Sequence, residues 1–147
     1  MTIKELAEKY DGYIIKNRRY FHQNPELSWE EENTTNLIEA ELRSLGIATT
    51  RFLGKTGVSG IIKGGSPGKT VALRSDMDAL PIEEHADVPF VSGNKGIMHA
   101  CGHDCHMSML LGAAKILMEK QKELHGNVKL IFQASEETCH GAEYYVE

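Results

Sequence analysis

The amino-acid sequence predicts an α/β fold, because segments with the apolar spacing of helices alternate with short segments that are typical of strands. Two amphipathic helical segments come first, three short strands follow, and a further helix and a buried strand complete the order. The chain has 147 residues, which suits one domain that is large enough to bury a hydrophobic core.

The first predicted helix runs from about Ile3 to Gln23. Thr2 and Glu5 have the spacing of a capping box at its start. The pair Asn24-Pro25 ends the helix, because a residue before proline resists the α conformation. The apolar residues of one helical face are Leu6, Tyr10, Tyr13 and Ile14.

A second helix is predicted shortly after Pro25. Ser28 and Glu31 have the spacing of another capping box, and Gly46 is a natural residue for the position just past the helix end. The apolar stripe of this helix consists of Leu37, Ile38, Leu42 and Leu45.

The periodicity then changes, and three strands are predicted over Ile47–Phe52, Val58–Lys63 and Thr70–Arg74. The glycine-rich segment 64–68 between the last two strands predicts a hairpin turn. It has some likeness to a phosphate-binding loop, but Lys63 stands where that pattern requires glycine. A strand also follows where a phosphate loop would open a helix, so a nucleotide-binding domain is disfavoured.

From Ser75 to about Gly102 the sequence shows little periodicity, which predicts a structured loop region. A helix is expected from about His106 to Gln121, and Val128–Gln133 is predicted to form a buried strand. Gly141–Glu147 is predicted to begin another helix that the sequence does not complete. We therefore expect residues 1–147 to form part of a domain that is truncated at its C-terminus.

The composition argues against several classes of function. The formal net charge is −5, from 16 Lys and Arg against 21 Asp and Glu, which argues against a surface for nucleic acid. No apolar run has the length needed to cross a membrane, and the N-terminus lacks the apolar core of a signal peptide. The three cysteines are an odd number, which favours free thiols and a cytoplasmic location.

The segment Met98–His106 contains three histidines, two cysteines and an aspartate. Thiolate and imidazole are preferred ligands of zinc and similar ions. Cys101 and His103 flank a glycine that lets the backbone turn, so both side chains can converge on one ion. A single histidine would more often cap a helix or form a hydrogen bond, but six possible ligands within eight residues favour a metal site. A structural zinc site is disfavoured, because Cys101 and Cys105 lack C-x-x-C spacing and no second pair exists.

Glu136 and Glu137 directly follow the last predicted strand. An acidic pair usually belongs to a solvated surface, but ligands of α/β folds gather beyond the carboxyl ends of strands. Adjacent carboxylates at an irregular strand end point in different directions. One can therefore bind a metal while the other handles a proton of the attacking water.

Asp76 and Asp78 lie two residues apart at the end of another strand. They can ligate a metal, orient a ligand histidine, or cap the next turn. Orientation of a histidine is favoured, since ligand histidines usually donate their second N–H to a carboxylate.

Taken together, these motifs resemble the M20 metallopeptidases. The match is to the amidohydrolase branch, which holds N-acyl-amino-acid amidohydrolases, hippurate hydrolases and plant auxin-conjugate hydrolases. The matching segments keep the family's order and span nearly the whole chain: Arg18–Leu27, Ala72–Pro81, Met98–His106 with Leu110–Lys115, and Ile131–Glu137. The resemblance implies part of a catalytic domain whose helices pack on a central mixed β-sheet.

The resemblance also implies a role for four residues: Cys101, His103 and Glu137 as metal ligands, and Glu136 as the general base. The implied reaction is hydrolysis of the amide bond of an N-acyl amino acid, or of a related small or peptide-like amide, by a metal-activated water. Two divalent ions are implied for a complete site; the thiolate favours Zn²⁺, and the resemblance also admits Mn²⁺, Co²⁺ or Ni²⁺. The rest of the cluster is expected to support the ligands: His99, Asp104, Cys105 and His106.

Two features depart from the family's pattern. Family members usually have Pro-Ala-Glu-Glu-Gly where this chain has Ala134-Ser-Glu-Glu-Thr138, and Cys139 and His140 partly replace the glycines that follow. These two residues are extra ligands or bystanders, and bystanders are favoured. The family is also longer, with two further histidine ligands and a dimerisation domain (the lid) downstream, so homodimers are expected for full-length relatives.

We therefore expect this chain to hold a partial site and to be inactive alone. The alternative is a non-catalytic metal-binding or interaction module that has the same fold. Glu136→Gln distinguishes the two hypotheses, because it removes hydrolysis from an enzyme without removing its metal.

Overall fold

The computed structural model describes residues 1–51 and 54–145 of the chain. Three α-helices and four strands follow one another in the predicted αα-βββ-α-β order, with two short 3₁₀ helices near the end. The elements are α1 (Ile3–Gln23), α2 (Glu32–Ser44), β1 (Ala48–Arg51), β2 (Val58–Lys63), β3 (Ser66–Asp76), α3 (His103–Glu119), a 3₁₀ helix (Gln121–Glu123), β4 (His125–Gln133) and a second 3₁₀ helix (Gly141–Tyr145).

The four strands form one mixed sheet with the order β1-β2-β4-β3. β4 lies between β2 and β3; it runs antiparallel to β2 and parallel to β3. The sheet and the helices that pack on it confirm the α/β class and the central mixed sheet. Because β3 and β4 are parallel, Asp76 pairs with Gln133 and their carboxyl ends lie side by side. This register brings the two predicted acidic pairs to the same edge of the sheet.

The hydrophobic core lies between the sheet and the helices. α1 packs against α3, and both helices contribute fully buried side chains such as Phe21 and Leu111. The central strand β4 contributes Leu130 and Phe132, which are also fully buried. Burial of apolar area of this kind is the main stabilising contribution to such a fold.

Both predicted ends of α1 and the predicted C-terminal end of α2 are confirmed. Thr2 Oγ1 accepts the amide of Glu5 at 3.2 Å, and Glu5 Oε2 accepts the amide of Thr2 at 2.8 Å, so the capping box is formed. α1 ends at Gln23, immediately before Asn24-Pro25. Gly46 follows α2 with φ = 78°, a conformation that glycine adopts without strain.

The second predicted capping box is wrong. α2 begins at Glu32, and its N-cap residue Glu31 makes no side-chain capping bond. Ser28 instead donates to Asp78 Oδ2 at 2.6 Å. The Glu31 carboxylate accepts from Thr56 and from the backbone of Ser135. The side chains of Ser28 and Glu31 therefore bind residues that are distant in sequence and do not cap the helix.

The predicted hairpin between β2 and β3 is also wrong, because β4 lies between these two strands. The connection crosses the beginning of β4, where the Gly64 amide donates to the Gly126 carbonyl at 2.8 Å. A Cβ atom on Gly64 would lie 2.3 Å from that same carbonyl oxygen. Glycines are therefore required for a tight crossing rather than for a two-strand turn.

Several boundaries differ from their predictions. α3 begins at His103 rather than near His106, and β3 and β4 each start earlier than predicted. Phe52, the end of the first predicted strand, lies outside the described residues. The last predicted helix is a 3₁₀ helix over Gly141–Tyr145, and the described residues end there.

The crossing predicts that Gly126→Ala destabilises the fold. Gly126 has φ = 87°, and an added Cβ would lie 2.0 Å from the Lys69 carbonyl oxygen. We expect a loss of at least about 2 kcal/mol in the free energy of unfolding, measured with urea. The matched control is Gly12→Ala in α1, where an added Cβ meets nothing within 4 Å and stability should rise slightly. Equal stability of the two variants would contradict the role assigned to the crossing.

Candidate metal centre

The predicted ligands converge where β3, β4 and the start of α3 meet. One ligand atom from each of Cys101, His103 and Glu137 lies within 4.8 Å of the others. Gly102 separates the first two with φ = 85°, which gives the turn that the sequence predicted at this position. His103 is buried, Glu137 is partly buried, and Cys101 is exposed, so the cluster opens to solvent on the thiol side.

Asp78 sets the orientation of the His103 ring. Nδ1 of His103 lies 2.8 Å from the backbone oxygen of Asp78, so its N–H is donated there and Nε2 is left as the free ligand atom. Burial lowers the pKa of His103, but the hydrogen bond to Asp78 and the negative charges nearby outweigh it, and the pKa is raised above its ordinary value.

Carboxylates surround the free nitrogen of His103. Its Nε2 lies 3.6 Å from Asp76 Oδ2, 3.7 Å from Glu137 Oε1 and 3.8 Å from Glu136 Oε2. Three acidic groups around one imidazole nitrogen make this site strongly negative, which favours a cation.

Glu137 provides the clearest sign that the cluster suits a metal. Its Oε1 atom is buried and has no hydrogen-bond partner among the described residues, although buried acceptors are normally satisfied. The adjacent Glu137 carboxylate, together with burial, raises the pKa of the Cys101 thiol. A divalent ion would satisfy the carboxylate and displace the thiol proton, and the donor set of sulfur, nitrogen and oxygen fits zinc and similar ions.

Glu136 differs from its neighbour in environment. The side chain of Glu136 is 38% exposed, against 21% for Glu137. The two carboxylates follow β4 in a turn where Ser135 has φ = 54°, and both come within 4 Å of the same imidazole nitrogen. Glu137 is therefore placed as the more enclosed group and Glu136 as the one with better access to solvent.

Asp78 supports both sides of the centre. Its Oδ2 accepts from Ser28 Oγ at 2.6 Å and from the backbone amide of Glu137 at 2.9 Å. Burial raises the pKa of Asp78, but hydrogen bonds from His103, Ser28 and the backbone of the acidic pair lower it to about 2. The carboxylate is thus ionised and holds the Glu137 backbone, while the backbone oxygen of the same residue holds the His103 ring.

A second group of possible ligands consists of Asp76, His103 and His106. Asp76 already accepts from Arg74 Nη1 at 2.9 Å and from His106 Nδ1 at 2.6 Å. The guanidinium of Arg74, which is bound to Asp76, repels a cation at that carboxylate. The group that contains Cys101 is therefore the better metal site. His106 stacks on His103 and is 46% exposed at the rim, consistent with support of the ligand ring.

Sequence reasoning missed a polar network behind α3. His22 contacts Asp104 at 2.7 Å and Glu84 at 2.9 Å, and Arg18 forms an ion pair with Asp104 at 2.9 Å. The only signal was the occurrence of Arg18 and His22 in a family-like segment, which did not identify their partners. The network ties α1 to the first turn of α3, next to His103.

Three further candidate residues differ in their exposure to solvent: His99, Cys139 and His140. His99 is buried, and neither of its ring nitrogens has a hydrogen-bond partner within residues 1–51 and 54–145. Cys139 is exposed, and His140 is exposed and faces Glu143. Neither Cys139 nor His140 belongs to a potential metal-binding group of the described part of the chain.

Among the helices that the structure describes, none is both long and apolar enough to cross a membrane.

Residues 72–147 match the model of the peptidase family M20/M25/M40. The chain is 50% identical to thermostable carboxypeptidase 2 of Saccharolobus solfataricus over 136 residues, which cover 92% of this chain and 35% of that protein. It is also 50% identical to N-acetyl-L-cysteine deacetylase of Bacillus subtilis over 152 aligned positions, which cover 100% of this chain and 36% of that protein. The chain thus spans about a third of the length of these curated relatives.

The fold matches a solved structure of the Bacillus subtilis YXEP protein, described as a dinuclear metal binding peptidase from the M20 family. The TM-score is 0.90 at 41% identity, and the match covers 95% of this chain and 39% of that one.

The environment of His99 predicts a dependence of stability on pH in the metal-free chain. Burial lowers the pKa of His99 from its ordinary 6.5 to about 4. As the pH falls below 6.5, the unfolded chain binds this proton first, so stability is complete above pH 6.5 and declines toward pH 4. We expect a loss of about 3 kcal/mol from this group. In urea unfolding, the free energy of unfolding of His99→Gln should depend less on pH than that of the wild type. The exposed control His140→Gln should show the same pH dependence as the wild type. The same pH dependence for all three chains would contradict the role given to His99.

The cluster also predicts which cysteine binds a metal. Cys101→Ala should weaken Co²⁺ or Zn²⁺ binding, measured by calorimetry, by more than the about 10- to 100-fold typical of outer-shell changes. Cys139→Ala is the matched control and should bind as the wild type does, because its exposed thiol lies outside the cluster. The reverse order of affinities would show that the metal binds elsewhere.

Proposed function

We propose that this chain, which belongs to the peptidase family M20/M25/M40, carries the water-activating centre of a metal-dependent amide hydrolase. One observation carries the proposal: a thiol, an imidazole and a carboxylate converge within 4.8 Å, with a second, more exposed carboxylate directly beside them. A structural zinc site would need a fourth ligand and would leave that second carboxylate without a role.

Cys101, His103 and Glu137 are proposed as the metal ligands. The free Nε2 of His103 and the unpartnered Oε1 of Glu137 are 3.7 Å apart and face the same space. A divalent ion held by these residues would lower the pKa of a bound water and polarise the carbonyl of an amide. Zinc is favoured because one ligand is a thiolate, and manganese, cobalt and nickel are the alternatives.

Glu136 is proposed as the general base. Its carboxylate lies beside the ligand imidazole but is more exposed than Glu137, so it can reach a water molecule that approaches from solvent. It would take a proton from the attacking water and return that proton to the leaving amine. Asp78 contributes indirectly, because it holds the ligand ring and the backbone of the acidic pair in place.

The proposed substrates are N-acyl amino acids or related small or peptide-like amides. The names of the relatives support this class, since one is an N-acetyl-L-cysteine deacetylase and another is a carboxypeptidase. Both names describe cleavage of an amide bond next to an amino acid. The alternative is a non-catalytic metal-binding module, which is favoured only if the loaded centre activates no water.

The proposal predicts that the metal-loaded chain hydrolyses an activated ester such as 4-nitrophenyl acetate. This substrate tests water activation without requiring a complete substrate pocket. Glu136→Gln should lower the metal-dependent rate by about 100-fold or more while the affinity for Zn²⁺ is retained. The control Glu143→Gln alters an exposed carboxylate beside His140 and should leave the rate unchanged. A loaded chain with no metal-dependent rate would contradict the proposed activation of water by this centre.

Hydrolysis of hippurate or an N-acetyl amino acid by the same 147-residue chain is expected to stay at the background level. The reason is that the resemblance implies two further histidine ligands for amide turnover. The assay should be run with added Mn²⁺ or Zn²⁺. Measured turnover that Glu136→Gln abolishes would refute the expected inactivity and strengthen the proposed reaction.

A further inference from the structure

Glu31 is a fully buried carboxylate that has no part in the proposed proton transfer or metal binding. Its exposed fraction is 0%. Oε2 accepts from Thr56 Oγ1 at 2.5 Å, and Oε1 accepts from the backbone amide of Ser135 at 2.8 Å. Glu31 therefore links the start of α2 to the turn that follows β4.

That turn carries the acidic pair of the candidate centre. Ser135 immediately precedes Glu136 and has φ = 54°, a left-handed conformation that few residues other than glycine adopt. Its carbonyl accepts the amide of Gly141 at 3.1 Å, so both backbone polar groups of Ser135 are fixed by partners. The direction in which the next two side chains leave the backbone depends on this conformation.

Burial of a carboxylate without a cation is costly. Burial raises the pKa of Glu31, although the hydrogen bonds from Thr56 and Ser135 lower it. Within the described part of the chain, no lysine, arginine or histidine forms a salt bridge with Glu31. A well-packed apolar residue would stabilise an ordinary core at lower cost. The retained carboxylate instead supplies the acceptor that the strained turn needs.

We propose that Glu31 is a positioning residue of the metal centre. It holds the Ser135 amide and thereby fixes the backbone from which Glu136 and Glu137 project. The inference rests on the proposed function, because it takes Cys101, His103 and Glu137 as the metal ligands. The competing role is general stabilisation of the fold, in which Glu31 matters no more to the centre than to any other region.

The test is a titration of the 147-residue chain with Co²⁺, followed by the absorption of the thiolate–cobalt bond, together with urea unfolding of each variant. Glu31→Ala should bind Co²⁺ about 10-fold or more weakly, as is typical when a group that orients a ligand is removed. Glu31→Gln should restore most of the affinity, because its amide oxygen still accepts from Ser135 and Thr56 can rotate to accept from its nitrogen. Glu32→Gln, an exposed neighbour, should match the wild type.

Thr56→Val separates positioning from stability. It removes the other hydrogen bond of Glu31, so it should lower the free energy of unfolding while the Co²⁺ affinity and spectrum stay close to the wild type. If Glu31→Ala does not fold, Glu31→Asp takes its place: it keeps the charge but is too short to reach both partners, and it should also bind Co²⁺ weakly.

Two outcomes would overturn the inference. If the affinities of the Glu31 and Thr56 variants fall together in proportion to their stabilities, Glu31 has only a general structural role. If Glu31→Ala binds Co²⁺ as the wild type does, the turn does not need it. A wild-type chain that fails to bind Co²⁺ through Cys101 would refute the metal centre itself, and the inference with it.

Discussion

The buried carboxylate of Asp78 is the point through which the rest of the candidate centre is connected. Its side chain accepts from Ser28 before α2 and from the backbone of Glu137 after β4, and its backbone oxygen accepts from His103 at the start of α3. Three segments that are far apart in sequence thus meet at one residue beyond the end of β3. The side chain of Asp78 holds Ser28 and the backbone of Glu137 while its backbone oxygen holds the His103 ring, which couples folding of the sheet edge to the geometry of the candidate ligands.

The same region concentrates negative charge in a way that ordinary packing does not explain. Asp76, Glu136 and Glu137 all approach the free nitrogen of His103, and one oxygen of Glu137 is buried without a partner among the described residues. Arg74 neutralises the Asp76 side of this cluster. A cation on the thiol side would balance the remainder.

The sequence predicted those features of the fold that depend on neighbouring residues. α1 was predicted with its capping box and its end at Gln23, because both signals lie within one helical turn. The hairpin at 64–68 was wrong because nothing local shows that β4, about 60 residues later, lies between its strands. The role of Glu31 was missed for the same reason, since its partner Ser135 is 104 residues away. The proximity of Cys101 to His103 was predictable because a single glycine separates them, whereas their convergence with Glu137 depends on tertiary contacts.

The most direct test of the account is X-ray absorption at the zinc edge, on the chain loaded with one equivalent of Zn²⁺. The proposed centre predicts one sulfur ligand at about 2.3 Å, with nitrogen and oxygen ligands at about 2.0–2.2 Å. A zinc environment of nitrogen and oxygen alone would contradict the account, because it would place the ion away from Cys101, as at Asp76 and His106.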